Sequence, residues 1–107
     1  MINKVYGLLG ISAKAGKVFA GTDLVLDEMS KNKVKLVIVA KDTSEKTIKN
    51  MKYYCDKNKV ELLIYGTIDE NSRAIGKKNK AIIAIRDSKL ASAIKKEILG
   101  GEEFGEN

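Results

Sequence analysis

Two short stretches of this sequence have residue types and spacing suited to chemistry at a surface: Gly21-Thr22-Asp23-Leu24 and Lys77-Lys78-Asn79-Lys80. The first lies where an apolar segment (Val18, Phe19, Ala20) meets an amphipathic helix carrying Val25, Leu26 and Met29. Glycine admits backbone conformations closed to other residues and lets a partner come close. The amides after it have no intrahelical acceptor and stand at the positive end of the helix dipole. That is chemistry for an anion, phosphate above all. The second stretch gathers three ammonium groups in one loop. It reads as a solvated turn or, if it lies beside a helix N-terminus, as a phosphate clamp.

Other chemistry is weak or excluded. Histidine is absent and Cys55 is the only cysteine. A disulfide framework is therefore impossible, and zinc held by the usual Cys and His ligands is excluded. No metal and no cofactor is expected. The commonest general base is missing, although Asp, Glu, Lys, Tyr and Cys remain, which leaves a small enzyme as a third-ranked reading. Cys55 falls on an apolar helical stripe with Ile48 and Met51 and reads as a small core residue with nothing to activate it. Gly10 to Val18 imitates a phosphate-binding P-loop but fails as one. Five residues separate Gly10 from Gly16 instead of four, Val18 stands where Ser or Thr must hold magnesium, and a helix precedes the motif.

A chain of 107 residues makes one domain with a real core. No run approaches the length of a membrane span, and no apolar segment follows a basic N-terminus, so the cytoplasm is the expected location. The net charge is +6. Setting aside the three glutamates of the tail (Glu102, Glu103, Glu106) leaves 11 acidic residues against all 20 basic ones, a body of charge +9. Such a body fits a polyanionic partner, nucleic acid most often, and fits equally a lysine-rich surface that maintains solubility.

The elements that must position these residues follow from periodicity. Ile2, Val5, Leu8 and Leu9 recur at helical spacing, predicting a first helix over about 2–14 that Gly16 stops. Gly7 and Gly10 cost that helix about 1 kcal/mol each and make sense if another element packs close. In the next helix Val25, Leu26 and Met29 face the core, while Asp23, Leu24 and Asp27 project towards solvent. Val34 to Ala40 is an apolar run of the kind covered on both faces. Lys41-Asp42-Thr43-Ser44 then caps a helix to about Lys57. Val60 to Tyr65 is a further strand, and Thr67-Ile68-Asp69-Glu70 is a capping box in which Thr67 caps forward and Glu70 reaches back. That short helix ends at Gly76. The strand Ala81 to Ile85 follows, then a helix capped by Asp87 or Ser88, with the stripe Leu90, Ala91, Ile94, Ile98 and a stop at Gly100-Gly101. The expected architecture is a three-layer α/β/α sandwich, one mixed sheet of about four strands with helices on both faces. Residues 1–100 form the domain, and 101–107 an acidic tail expected to be disordered.

Val18 through Leu24, Lys35 through Asp42, and Thr67 through Lys77 with Ala74-Ile75-Gly76 resemble the kink-turn-binding ribosomal protein family, that of archaeal L-seven-Ae and eukaryotic L-thirty-e. Within it, Leu8-Leu9-Gly10 and Lys14-Ala15-Gly16-Lys17 are most similar to the small bacterial YlxQ branch. The likeness covers about residues 2–99. It implies an α/β/α fold and RNA binding without catalysis, the RNA lying across the start of the second helix and gripped from the side by the loop before the last strand. A kink-turn is a sharply bent RNA helix with tandem sheared G·A pairs, and its bend exposes base edges to a helix end. Gly21 and Thr22 match the family's turn; Lys77, Lys78, Asn79 and Lys80 match its side loop.

The chain departs from the family at the helix motif. The family has Asn-Glu-x-x-Lys after the glycine turn, whereas those places hold Asp23, Leu24 and Asp27. Ionised Asp23 accepts hydrogen bonds but donates none, and Leu24 offers only apolar contact. Asp27 reverses a charge near phosphates, which costs on the order of 1 to several kcal/mol. The resemblance therefore carries RNA binding further than tight kink-turn specificity. The reading is a non-catalytic RNA-binding monomer in which Lys14, Lys17, Lys41 and Lys77 to Lys80 attract the backbone and Gly21 to Leu24 dock. Its partner is structured RNA, with a kink-turn, ribosomal RNA and the ribosome as candidates. The alternative is a protein-interaction adaptor on the same fold, its Asp23 and Asp27 facing a basic partner.

Overall fold

The computed structural model describes residues 3–103. Its elements follow the expected alternation: α1 (Lys4–Lys14), β1 (Val18–Ala20), α2 (Thr22–Ser30), β2 (Leu36–Val39), α3 (Glu45–Asn58), β3 (Glu61–Ile64), α4 (Ile68–Ala74), β4 (Ile82–Ile85) and α5 (Ser88–Glu103). The sheet order is β1-β4-β2-β3. β4 is antiparallel to both neighbours, and β2 and β3 are parallel. β1, β2 and β3 therefore run the same way. Their C-terminal ends and the start of β4 share one end of the sheet, and that end holds Gly21, Lys41, Gly66 and Lys80.

The two-residue period of the central strands divides the core into two layers. Val37, Val39, Ile82 and Ala84 meet Val25 and Met29 of α2 and Met51 and Cys55 of α3. Leu36, Ile38, Ile83 and Ile85 meet Val5 and Leu9 of α1, Ile75 after α4, and Ala91 and Ile94 of α5. This is the expected three-layer α/β/α sandwich, with two helices on one face and three on the other. β3 is an edge strand, so its exposed Glu61 and Ile64 escape the two-sided cover of β2 and β4.

Several local expectations need correction. Gly100-Gly101 does not stop the last helix, which runs on to Glu103. Glycine weakens a helix without forbidding one, and it terminates a helix when it turns left-handed, as Gly16 (φ 71°) and Gly76 (φ 72°) do. Residues 101–103 of the expected tail are thus helical. Its part beyond Glu103 lies outside the described residues, as does Ile2 of the first helix. A Cβ on Gly10 would sit 3.3 Å from the Ala74 carbonyl oxygen, which is the close packing expected there. At Gly7, on the exposed side of α1, a Cβ would meet nothing within 4 Å. In the capping box Thr67 Oγ1 accepts from the Glu70 amide at 3.1 Å. Glu70 reaches back to the Thr67 hydroxyl and to the Tyr6 hydroxyl, each at 3.1 Å, instead of to the Thr67 amide. The Tyr6 hydroxyl is thereby pushed up to about 12, first by burial and then by its bond to the Glu70 carboxylate.

Candidate nucleic-acid interface

Gly21 turns the chain from β1 into α2 at φ 101°, ψ 146°, a conformation essentially reserved for glycine. Its amide donates to the Ile82 carbonyl at 2.9 Å and ties the corner to the start of β4. The first bond of the α2 ladder runs from the Val25 amide to the Gly21 carbonyl at 3.0 Å. The amides of Thr22, Asp23 and Leu24 precede it, and no side chain caps them. Each of the other four helices is capped: Asn3 takes the Tyr6 amide, Ser44 that of Thr47, Thr67 that of Glu70, and Asp87 that of Leu90. Among the described residues, α2 alone keeps its N-terminal donors free of side chains. Thr22, Asp23 and Leu24 are all exposed there.

The lysine loop lies against this corner. A Cβ on Gly21 would come 3.7 Å from Lys80 Nζ. Between them opens a groove of about 470 Å³ lined by Ala13, Val18, Ala20, Leu24, Ile75, Gly76, Lys77 and Lys80. Its lining combines apolar side chains with the two lysines. Leu24, 45% exposed, belongs to the wall of this groove and is not a stray surface leucine. Lys78 and Asn79 are exposed at the loop tip, where Asn79 adopts φ 56°.

Ser72 holds the loop in place. Its buried hydroxyl accepts from the Lys80 amide at 2.7 Å and donates to the Lys80 carbonyl at 3.3 Å. Its own carbonyl accepts from the Lys77 amide at 2.8 Å. One residue of α4 thus grips both ends of the 77–80 stretch. Lys41 stands at the same end of the sheet, its amide bonded to the Gly66 carbonyl at 2.8 Å, and is exposed. Lys14 is exposed at the end of α1, next to the groove residue Ala13. Lys17 adjoins the groove residue Val18 but lies farther from Gly21. It precedes β1, and its carbonyl accepts from the Arg86 amide, which puts it at the opposite end of the sheet. At ~3.3 Å per strand residue this is ~13 Å from Gly21.

Asp27 is exposed on α2 and pairs with Lys31 at 3.2 Å, while Glu28 lies 3.7 Å from the same ammonium. The hydrogen bond to Asp27, and then its charge, push the Lys31 ammonium above its ordinary range. The adverse charge of Asp27 is thus partly offset one turn along the helix. Both Lys31 and Ser72 were missed from the sequence. The i, i+4 spacing of Asp27 and Lys31 was a readable signal. For Ser72 the only hint was polarity on the inner side of a short helix. Cys55 is buried, and burial pushes its thiol up to about 11, which leaves it a core residue and a poor nucleophile.

A two-against-three α/β/α sandwich with an uncapped, glycine-led helix start beside a lysine loop defines a class of small domain that offers a cationic corner at one end of its sheet. The chain belongs to the ribosomal protein L7Ae/L30e/S12e/Gadd45 family, whose profile matches residues 3–96. It is 32% identical over 92 residues to the RNA-binding protein YlxQ of Bacillus subtilis (strain 168), covering 83% of this chain and 89% of that protein. It is also 32% identical over 97 residues to the YlxQ of Enterococcus faecium, covering 91% and 93%. Among solved structures it is similar to a protein with unknown function from Bacillus halodurans C, with TM-score 0.87, 26% identity, and 91% of this chain and 98% of that one covered. The 15.5kD RNA binding protein of Giardia lamblia shares the fold at TM-score 0.73 and 20% identity, over 92% and 83%.

Proposed function

We infer that this protein binds structured RNA without catalysing a reaction, docking a bent helix at the Gly21 corner. The observation that carries the reading is the Lys80 ammonium lying against a helix start whose amides no side chain caps. Phosphate there meets free N–H donors, the dipole end of α2 and the Lys80 cation together. Leu24 and the other apolar residues of the groove offer apolar contact to a ribose or a base face. Lys41, Lys77 and Lys78 extend the attraction along the backbone, and Lys14 flanks it. The RNA-binding names of the two YlxQ relatives support the same reading.

The specific target is a kink-turn, on ribosomal RNA in the cytoplasm, recognised by a helix end that reads base edges bared by the bend. A gel shift tests it with a kink-turn hairpin and a twin whose G·A pairs are replaced, each at two salt concentrations. Tighter, salt-sensitive retention of the kink-turn is expected. Equal retention of both RNAs leaves only backbone binding, and retention of neither removes the reading. In that last case protein co-purification after nuclease treatment favours an adaptor that uses the exposed Asp23.

A further inference from the structure

A second surface, on α3, has the composition of a nucleic-acid contact and lies outside the Gly21 corner. Ile48, Met51 and Cys55 turn α3 towards the sheet. At about 100° per residue, Lys46, Lys49, Asn50, Tyr53 and Lys57 fall on the opposite side as one stripe, and all five are exposed. Tyr53 is 61% exposed, the most accessible large apolar side chain among the described residues. Lys49 and Lys57 lie one turn before and one turn after it. The Tyr54 ring stands edge-on to Tyr53, with centroids 5.2 Å apart and planes at 78°, and so limits the positions the Tyr53 ring can take.

The charges of this stripe are not spent within the protein. Among the described residues three cations have partners, Lys31 with Asp27, Arg73 with Asp69 and Lys95 with Glu61, and the other lysines stand free like those of the stripe. Among the described residues, Lys46, Lys49 and Lys57 make no ion pair. Glu45 and Asp56 border the stripe without neutralising it. Location adds to the argument. α3 starts just after Lys41, so the stripe leads from the corner along the outside of the molecule, and Tyr53 lies ~12 Å beyond Glu45 at 1.5 Å per residue.

We propose that this face of α3 carries an unpaired RNA segment flanking the structured element, one base stacked on Tyr53 and the adjoining phosphates drawn to Lys46, Lys49 and Lys57. Cations that follow a backbone, interleaved with an aromatic ring, are the combination that single-stranded RNA uses. A duplex keeps its bases stacked on each other and has no free face for Tyr53. A membrane surface or an apolar groove in a protein partner needs aliphatic area, and none of the five stripe residues is aliphatic. The proposal takes its partner class, RNA, from the reading of the corner, but its contacts are separate.

The test measures fluorescence anisotropy with a kink-turn hairpin, the same hairpin extended by roughly a dozen unpaired adenylates, and the free oligoadenylate. The extension should tighten binding of the unaltered protein at least about five-fold, the lower end of one stacked base. Tyr53→Ala should abolish that gain and Tyr53→Phe should keep it. The triple change K46A, K49A, K57A should abolish it and reduce the salt dependence of the extended RNA to that of the plain hairpin. Affinity for the plain hairpin should stay unchanged in every variant. No gain from the extension, or a gain that survives Tyr53→Ala, overturns the proposal, as does an equal loss on the plain hairpin. If no hairpin is bound, the corner reading fails by itself and the oligoadenylate decides alone: binding that needs Tyr53 supports the stripe, and no binding overturns it.

Discussion

Two helices begin at the same end of the sheet and are treated in opposite ways. α4 starts with two of its leading donors taken by side chains: Thr67 takes the Glu70 amide, Asp42 takes the Ile68 amide at 2.9 Å, and Glu70 closes the circle with Thr67 and Tyr6. α2 starts at a glycine that contributes no side chain, and its first amides face outward beside Lys80. The first arrangement stabilises the fold and offers nothing to a ligand. The second forgoes a side-chain cap, a loss of only about a few tenths of a kcal/mol when the capping residue is glycine, and keeps donors and dipole for an anion. A helix start becomes a binding feature by what is left unsatisfied, provided that neighbouring elements hold it rigid.

The sharpest way to break this contrast is Gly21→Val. A β-branched residue at φ 101° costs about 1–3 kcal/mol or more of stability, and the corner should lose RNA retention as it relaxes. Chemical denaturation and a gel shift on the same preparation check both effects. Unchanged retention would remove the corner from the site.

Replacing Lys77, Lys78 and Lys80 together by Ala comes next. Binding should weaken for every RNA, and the slope of log affinity against log salt should shrink by about 2, at roughly 0.7–0.9 per lost phosphate contact. An unaltered slope in a salt titration would place the loop outside the interface.

Ser72→Ala sharpens the comparison by loosening the loop with no charge removed. It leaves the Lys80 amide without its partner at a cost of about 1–3 kcal/mol, and affinity should fall along with stability. Were stability alone to drop, the grip of Ser72 on Lys80 would have no bearing on binding.

Asp27→Lys should tighten RNA binding by about 1 kcal/mol, the scale of one exposed charge reversal under screening. Weaker binding in an anisotropy titration would give Asp27 a positive role. The smallest effect on binding belongs to the capped helix. Thr67→Ala should lower stability by about 1 kcal/mol and leave RNA affinity as it was. A matching loss of affinity would mean that α4 contributes more than a platform.

Much of the fold was readable because its signals are local. The unbroken apolar run through Leu36 to Val39 announced a doubly covered strand, and Ser44, Thr67 and Asp87 announced helix starts, since a cap acts within three residues of itself. The glycine corner and the outward set of Asp23, Leu24 and Asp27 came from helical period alone. Errors arose where local preference competed with extended structure. Gly100-Gly101 looked like a stop, although only the backbone angle a glycine adopts makes it one. The edge place of β3 had no local signal, since it follows from the strand order alone.

By itself the amino-acid sequence determined the order of elements, the core stripes, the inert place of Cys55 and the supply of lysines, because periodicity and charge belong to the chain. Only the tertiary structure decided which lysines serve one corner. Pairing β1 with β4 set Lys80 beside Gly21, 59 residues away in the chain, and the direction of β1 sent Lys17 to the far end. Strand order and direction also turned Leu24 from a surface leucine into a groove wall and gave Ser72 its hold on the loop. Such neighbours are chosen by which strands share hydrogen bonds, and that pairing is a property of the folded sheet as a whole.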